Sequence, residues 1–293
     1  MSLTVTPPIF SLRTFAVAAL LFTLVGCVNM DDAAGLSKLS EDARSALPKV
    51  SNDIAGTCDR QNTFFNNTPE KERPKDSKAL DCKPYQELAR QVAKDQNILL
   101  DYFDALGKLS SNKPLGYDAS IDANVTDTSA ISNVSAHAVT AANDAQSILK
   151  ALADAATRGY REKQLDQLIK ENDPAVQSLT QALKKIIVGD YGIMLSNEES
   201  SLDGFYQGPM AAAQSNERLV LILVQRQYAD DKSGLQSRKD RIASYGKTMD
   251  GLAALDAKLA KEAAQKASLA EMGKQVAPIV ESIKDAVSDL HSR

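Results

Sequence analysis

The residues able to do chemistry in this chain are few and poorly spaced for catalysis. Cysteines stand at 27, 58 and 82, and the only histidines are His137 and His291. A structural zinc site needs four thiolate or imidazole ligands in close-set pairs. Neither histidine has ligand spacing to a cysteine, so no metal is expected. The chain has no Gly-x-Ser-x-Gly elbow, no His-Glu-x-x-His helix, no phosphate-cradling glycine loop and no dinucleotide fingerprint. No catalytic residue and no dissociable cofactor are therefore expected. Glu198-Glu199 and Asp230-Asp231 are adjacent carboxylates, but neighbours on a helix point apart and do not share a proton by spacing alone; they read as solvated faces. His137 falls beside a helical seam without the orienting partner a general base needs. His291 sits near the C-terminus, where positive charge suits the helix dipole.

Two stretches could meet a partner or ligand. Leu219-Val220-Leu221-Ile222-Leu223-Val224 is the most apolar internal run. Six residues cannot cross a bilayer, so the run is expected to be buried on all sides, with a partner-binding face that includes Leu221 as the other reading. Gly189-Asp190-Tyr191-Gly192 is the least helical stretch inside a helical pattern; it reads as a local kink, or as a backbone opening where Tyr191 contacts a ligand. Tyr228, together with Tyr102 and Tyr245, could line an apolar cavity between helices.

The N-terminus carries a different kind of chemistry. Arg13 is the only charge before residue 31. Phe15 to Val25 is an apolar run broken only by Thr23, long enough for the apolar part of an export signal and too short to span a membrane. Gly26 precedes Cys27, and the order Leu24-Val25-Gly26-Cys27 resembles the lipobox of bacterial lipoproteins. The resemblance covers about the first 30 residues. It implies cleavage after Gly26, a lipid on the Cys27 thiol and acylation, palmitate among the candidates, of the new amine. Each buried methylene contributes about 0.8 kcal/mol, and two or three chains on one residue hold a protein at a membrane where one does so only marginally. Val28, where an aspartate would retain such a protein at the inner membrane, implies by the same resemblance display at the outer membrane or in the periplasm. By the same resemblance Cys27 is taken by lipid and the compartment is oxidising, which leaves Cys58 and Cys82 to form a disulfide. Closing the Thr57 to Lys83 loop is worth roughly 3–3.5 kcal/mol by chain entropy.

The rest of the chain must supply a scaffold. Apolar residues make up 43% of it, enough for a core, and aromatics only 5%. With Ala, Leu, Lys, Asp, Gln and Ser dominating, this favours helix over sheet. Net charge is −4 with both signs interspersed, which excludes the basic patch a nucleic-acid partner requires. The expected organisation is a leader over 1–26, a lipidated tether over 27–36 and a helical domain over 37–293. A first helix spans Ser37 to Ile54, with Leu39, Ala43, Ala46 or Leu47, and Val50 on one face, weakened or kinked by Pro48. Tyr85, Leu88, Val92, Leu99, Tyr102, Leu106 and Leu109 form a heptad stripe with Asp95 its one polar member. Ser110 to Asn124 reads as a loop. Residues 125–157 repeat the stripe with Ile131, Val134, Ala138, Ala141, Ala145, Ile148, Leu152 and Ala155.

A short helix follows from Tyr160 to Lys170, and Asp173-Pro174 caps and begins another. Helix resumes from Ile193 to Phe205, and Gly204 to Pro209 is a break. From there the chain is helical to its end, with a stripe at Leu221, Val224, Tyr228, Leu235, Ile242, Tyr245, Met249, Leu252 and Leu259 interrupted by Asp231 and Arg238. A turn falls at Asp230 to Gly234 or at Ala264 to Ser268, or at neither, in which case a single long helix projects from the bundle; Leu269, Met272, Val276, Ile279, Ile283, Val287 and Leu290 start a new register, kinked at Pro278. The fold class is all-α: an elongated antiparallel bundle of five to seven helices with coiled-coil-like packing, the longer ones about 40–50 Å. Its expected function is that of a membrane-anchored, exported, non-enzymatic protein-interaction or structural factor of the cell envelope, partnered by another envelope or secreted protein. The alternatives are a carrier of a small apolar ligand in the bundle core and an unrecognised hydrolase.

Overall fold

A computed structural model describes residues 31–73, 75, 77–111, 115, 131–158, 162–212 and 217–292. The leader, Cys27 and most of the loop expected before Asn124 lie outside the described residues. Among the described residues every regular element is helical. The elements are α1 (Asp31–Asn67), a 3-10 turn (Glu70–Glu72), α2 (Lys83–Ser110), α3 (Ala138–Arg158), α4 (Glu162–Lys184), a π-helical turn (Lys185–Tyr191), α5 (Gly192–Ala212), α6 (Arg218–Ala264) and α7 (Leu269–Ser292). They form an all-α bundle.

The heptad stripes are the core. Leu88, Val92, Leu99, Tyr102, Leu106 and Leu109 of α2 are buried, and so is Asp95. In α1 the seam takes both Ala46 and Leu47, beside Leu39, Ala43 and Val50. Ala138, Ala141 and Ala145 are buried in α3, small residues that let helices approach closely. α2 runs antiparallel to α1: Arg44 pairs with Asp101, and Ser51 Oγ donates to Gln96 Oε1 at 3.3 Å. Cys58 meets Cys82 at a Cα–Cα distance of 5.7 Å. α4 runs antiparallel to α6, with Gln177 Nε2 donating to the Ala253 carbonyl at 2.8 Å and Lys184 Nζ to Asp250 at 2.7 Å. α6 and α7 approach so closely at Gly251 that a Cβ there would lie 2.5 Å from Ile283 Cγ1.

Several expectations are corrected. α1 begins at Asp31, inside the expected tether, and passes Ile54 to reach Asn67; Leu36 is already buried in the core. The helix expected over 125–157 is interrupted before Ala138. Asn133 to His137 form a turn in which Ser135 N donates to the Ile131 carbonyl at 2.9 Å and His137 N to Ser135 Oγ at 3.3 Å, a local bond of the kind that competes with helix. Asp173-Pro174 starts no new helix, and Gly204 to Pro209 is no break. Pro174 lies inside α4 and Pro209 inside α5. Pro48 and Pro278 likewise lie within α1 and α7. None of these four is buried. On a wet flank, water can take the carbonyl that a missing N–H leaves unpaired.

The two turns left open for the last third resolve to one. α6 runs unbroken through Asp230 to Gly234 and stops at Ala264. Lys266 takes a positive φ of 57°, and Ala267 N reaches back to the Glu262 carbonyl at 3.1 Å, closing α6 with the left-handed residue typical of helix ends. Ser268 and Glu271 then cap α7 reciprocally: Ser268 N donates to Glu271 Oε2 at 2.9 Å and Glu271 N to Ser268 Oγ at 3.4 Å.

Candidate functional site

α6 has 47 residues and is therefore about 70 Å long. Near its C-terminal end Leu259 lines an apolar cavity with Leu36 of α1 and Leu269 of α7. Midway along, Arg238 meets Glu198 of α5 and Asp53 of α1. Beyond that level its core contacts cease. From Arg218 to Gly234 no residue of α6 is buried, and Leu235 is the first that is. α4, the π-helical turn and α5 make one rod running the other way; α1 packs along α5 as far as Phe205, and beyond that level the ends of α5 and α6 project together as a helical hairpin. Phe64, near the end of α1, reaches its flank, 5.6 Å from the Phe205 ring.

The root of this hairpin is a polar network. The side chain of Glu198 is 2% exposed and is held from two sides. Arg60 Nε donates to Glu198 Oε1 at 2.7 Å, and Arg238 donates to the same oxygen. Arg60 also donates to Asp53 Oδ2 at 3.0 Å and to Thr57 Oγ1 at 2.8 Å. Asp53 in turn accepts the Tyr191 hydroxyl. Burial opposes the Arg60 charge, but its bonds to Glu198 and Asp53 outweigh that and raise its pKa. Burial and then the Asp53 charge raise the Tyr191 pKa, so its hydroxyl stays a donor. Tyr191 closes the π-helical turn and is buried. A π turn carries one extra residue in the helix, and here the stretch read as a kink is what turns Tyr191 inward.

Above the root the two helices are laced by charge. Lys232 Nζ reaches Glu199 at 2.8 Å and Asp203 at 3.1 Å, and Lys239 Nζ reaches Glu199 at 2.5 Å. Hydrogen bonds from Lys232 and Lys239 hold the Glu199 carboxyl down to about 2. Tyr206 donates to Asp231 at 2.7 Å and Tyr228 to Asp203 at 3.0 Å. The rings of Phe205, Tyr206 and Tyr228 form a chain, with centroids 4.9 and 5.4 Å apart. Towards the end of the hairpin an exposed apolar run lies between Arg218 and Arg226. Leu219, Val220, Ile222 and Leu223 are 70%, 53%, 50% and 58% exposed, while Leu221 and Val224 are half-buried towards α5. The expectation that Leu219 to Val224 is buried on all sides is thus overturned, because among the described residues no third helix extends far enough to cover the run.

The three candidate contact residues gather on this one feature: Leu221 near its tip, Tyr228 in its stem, Tyr191 at its root. Tyr228 stands in the hairpin, whereas Tyr102 and Tyr245 are core residues, Tyr102 donating to Asp256 Oδ1 at 2.7 Å and Tyr245 accepting from Gln96 Nε2 at 2.9 Å. The apolar cavity lined by Leu36, Leu106, Leu259 and Met272 is about 30 Å³, room for about one water. Two buried carboxyls are held near or above neutrality chiefly by burial: Asp95, raised to about 7, and Asp256, raised to about 8. Neither lines the cavity. His137 lies in the turn ahead of α3, and His291 meets Ser45 Oγ at 2.6 Å in the last turn of α7. Among the described residues no three His, Cys, Asp or Glu side chains are grouped to hold a metal ion.

Asp53 and Arg60 were not singled out by the sequence. Glu198, read as part of a solvated face, is instead the centre of the root. The available signal was Arg238, a charge standing in an apolar stripe, because a cation at a seam position requires an anion opposite. No family model, curated protein or solved structure matches this chain.

Proposed function

We propose that this chain is an exported, lipid-anchored, non-enzymatic factor of the cell envelope that presents the α5–α6 hairpin as its contact end. The observation that supports the reading is the exposed apolar tip at Leu219, Val220, Ile222 and Leu223, one α6 length, about 70 Å, from the end of the bundle where α1 begins. Cys27 precedes Asp31 by four residues, a reach of at most about 14 Å. Lipid on that thiol would hold one end of the rod at a membrane and leave the hairpin at the other. The root network suits a mechanical role: its charges bind α1, α5 and α6 to each other.

The test is photo-crosslinking in cells from position 223, with Ser282 on the exposed flank of α7 as the control position. Adducts from 223 and not from 282 are expected. Their absence at 223, or equal adducts from both positions, would overturn the proposal.

A further inference from the structure

The outward side of α6 near the hairpin end carries a pattern of charge as well as an apolar run. Leu219, Leu223, Arg226 and Asp230 recur at alternating four- and three-residue steps, so they share one side of the helix, with Arg218 and Ile222 beside them. The aliphatic side chains are at least half exposed, and Arg218, Arg226 and Asp230 are exposed. Lower in α6 every cation down to Lys239 meets a carboxylate: Lys232 meets Asp203, Arg238 meets Glu198 and Lys239 meets Glu199. Among the described residues Arg218 and Arg226 meet none. Glu217 belongs to the opposite side, in step with Leu221, Val224 and Tyr228, which turn towards α5. From Gly204 to Ala229 the chain holds two arginines and one glutamate, a positive stretch in a chain of net charge −4. We infer that this side of α6 binds an amphipathic helix of another protein, whose aliphatic side chains cover Leu219, Ile222 and Leu223 and whose carboxylates, two turns apart, meet Arg218 and Arg226. This rests on the hairpin being the contact end and names what it contacts.

The spacing suits a helix. From Arg218 to Arg226 α6 rises about 12 Å. Carboxylates about seven or eight residues apart on a second helix share one side and stand about as far from each other. A helix also satisfies its own main chain, whereas an added strand would need a sheet edge, and the described elements here are all helical. Aliphatic contact supplies the affinity, and the charges at its rim select the partner and fix its register. A second copy is a poorer occupant, because it brings two more guanidiniums where carboxylates are wanted. A bilayer entered end-on would have to take in Glu217 and Arg218, which stand beyond Leu219. Asp230, one turn below Arg226, reverses the sign. The acidic stretch of the partner therefore ends there, and that asymmetry gives the docked helix a single direction.

The test uses the full chain in cells with a photo-reactive residue at position 223, in three backgrounds: unchanged, Arg218→Glu with Arg226→Glu, and Arg218→Lys with Arg226→Lys. Expected are a protein adduct in the unchanged chain, a yield lower by about tenfold in the glutamate background and a yield near the starting level in the lysine background. The adducted peptide of the partner, read by mass, should carry two carboxylates about seven or eight residues apart. Changing those two to lysine should restore the adduct to the glutamate background, a rescue that reports charge and not folding. Undiminished yield with both glutamates, an adducted peptide without such carboxylates, or no rescue overturns the inference and leaves the contact end standing. An adduct with a second copy or with phospholipid also overturns it and names that occupant instead. If no adduct forms from 223 in any background, the proposed function falls and the inference falls with it.

Discussion

Arg238 of α6 donates to Glu198 of α5 where both helices leave the bundle, and Arg60 of α1 grips the same carboxylate at 2.7 Å. Three helices thus share one buried anion. Removing it strands two guanidiniums in a largely desolvated place. Glu198→Ala is expected to cost about 2–4 kcal/mol, somewhat below a fully buried pair because Arg60 is a third exposed. Equilibrium urea unfolding measures this, and a loss under about 0.5 kcal/mol, the scatter of ordinary surface changes, would show that the network carries no stability.

The buried carboxyls predict a stability that falls with pH. Asp256 faces the Tyr102 hydroxyl and Asp173, and burial raises it to about 8. Asp95 faces Gln91, Lys94 and Asp144, and burial raises it to about 7. The unfolded chain releases both protons near about 4, the folded chain only near 7 to 8. Between those values the unfolded state binds fewer protons, so stability declines as pH rises, by at most about 1.4 kcal/mol per unit for each group. Below the window both states are protonated and the contribution vanishes. Glu199 acts in the opposite sense further down, its contribution present above its ordinary pKa and lost as pH falls towards about 2. Asp256→Asn should raise stability at pH 8, leave it nearly unchanged at pH 4 and flatten the slope between. Urea midpoints at both pH values decide, and a parallel pH slope in the variant would contradict the assignment.

Cys58 and Cys82 stand 24 residues apart in sequence. A crosslink over a loop of that length is worth about 3.5 kcal/mol by chain entropy. Thermal melts with and without reductant, and of Cys58→Ser with Cys82→Ser, should show the loss. Identical melting temperatures would remove the disulfide from the stability account.

Tip and core should respond oppositely to substitution. Leu219→Asp with Leu223→Asp changes side chains that are mostly exposed and should leave folding stability within about 0.5 kcal/mol. Leu99→Ala, at a fully buried position of α2, should cost about 2–5 kcal/mol. Comparable losses at the two places would mean that the hairpin end is packed in solution.

Much of the scaffold was legible because heptad spacing reports packing directly: the α2 stripe, the alanines of α3 and the new register from Leu269 all fall on buried faces. The loosening at Gly189 to Gly192 was legible too, since two glycines so close together weaken an α-helix. The prolines misled, because their cost depends on which flank they occupy and a one-dimensional reading does not show the wet side. The apolar run at Leu219 misled for the converse reason. Composition says that a segment shuns water, not whether another helix is long enough to shield it. Glu198 was hidden by its half-buried neighbour Glu199. The pairing with Arg60 and Arg238, both distant in sequence, separates the two.

The π-helical turn sets the compass bearing of everything beyond it. Successive residues of a helix are about 100° apart around its axis. Were all seven residues of Lys185–Tyr191 wound as regular α-helix instead, α5 would swing by about that angle, carrying Glu198 away from its guanidiniums. The heading of the hairpin is therefore a stepped quantity, fixed by how many residues occupy one ring, and small local strains cannot dial it gradually.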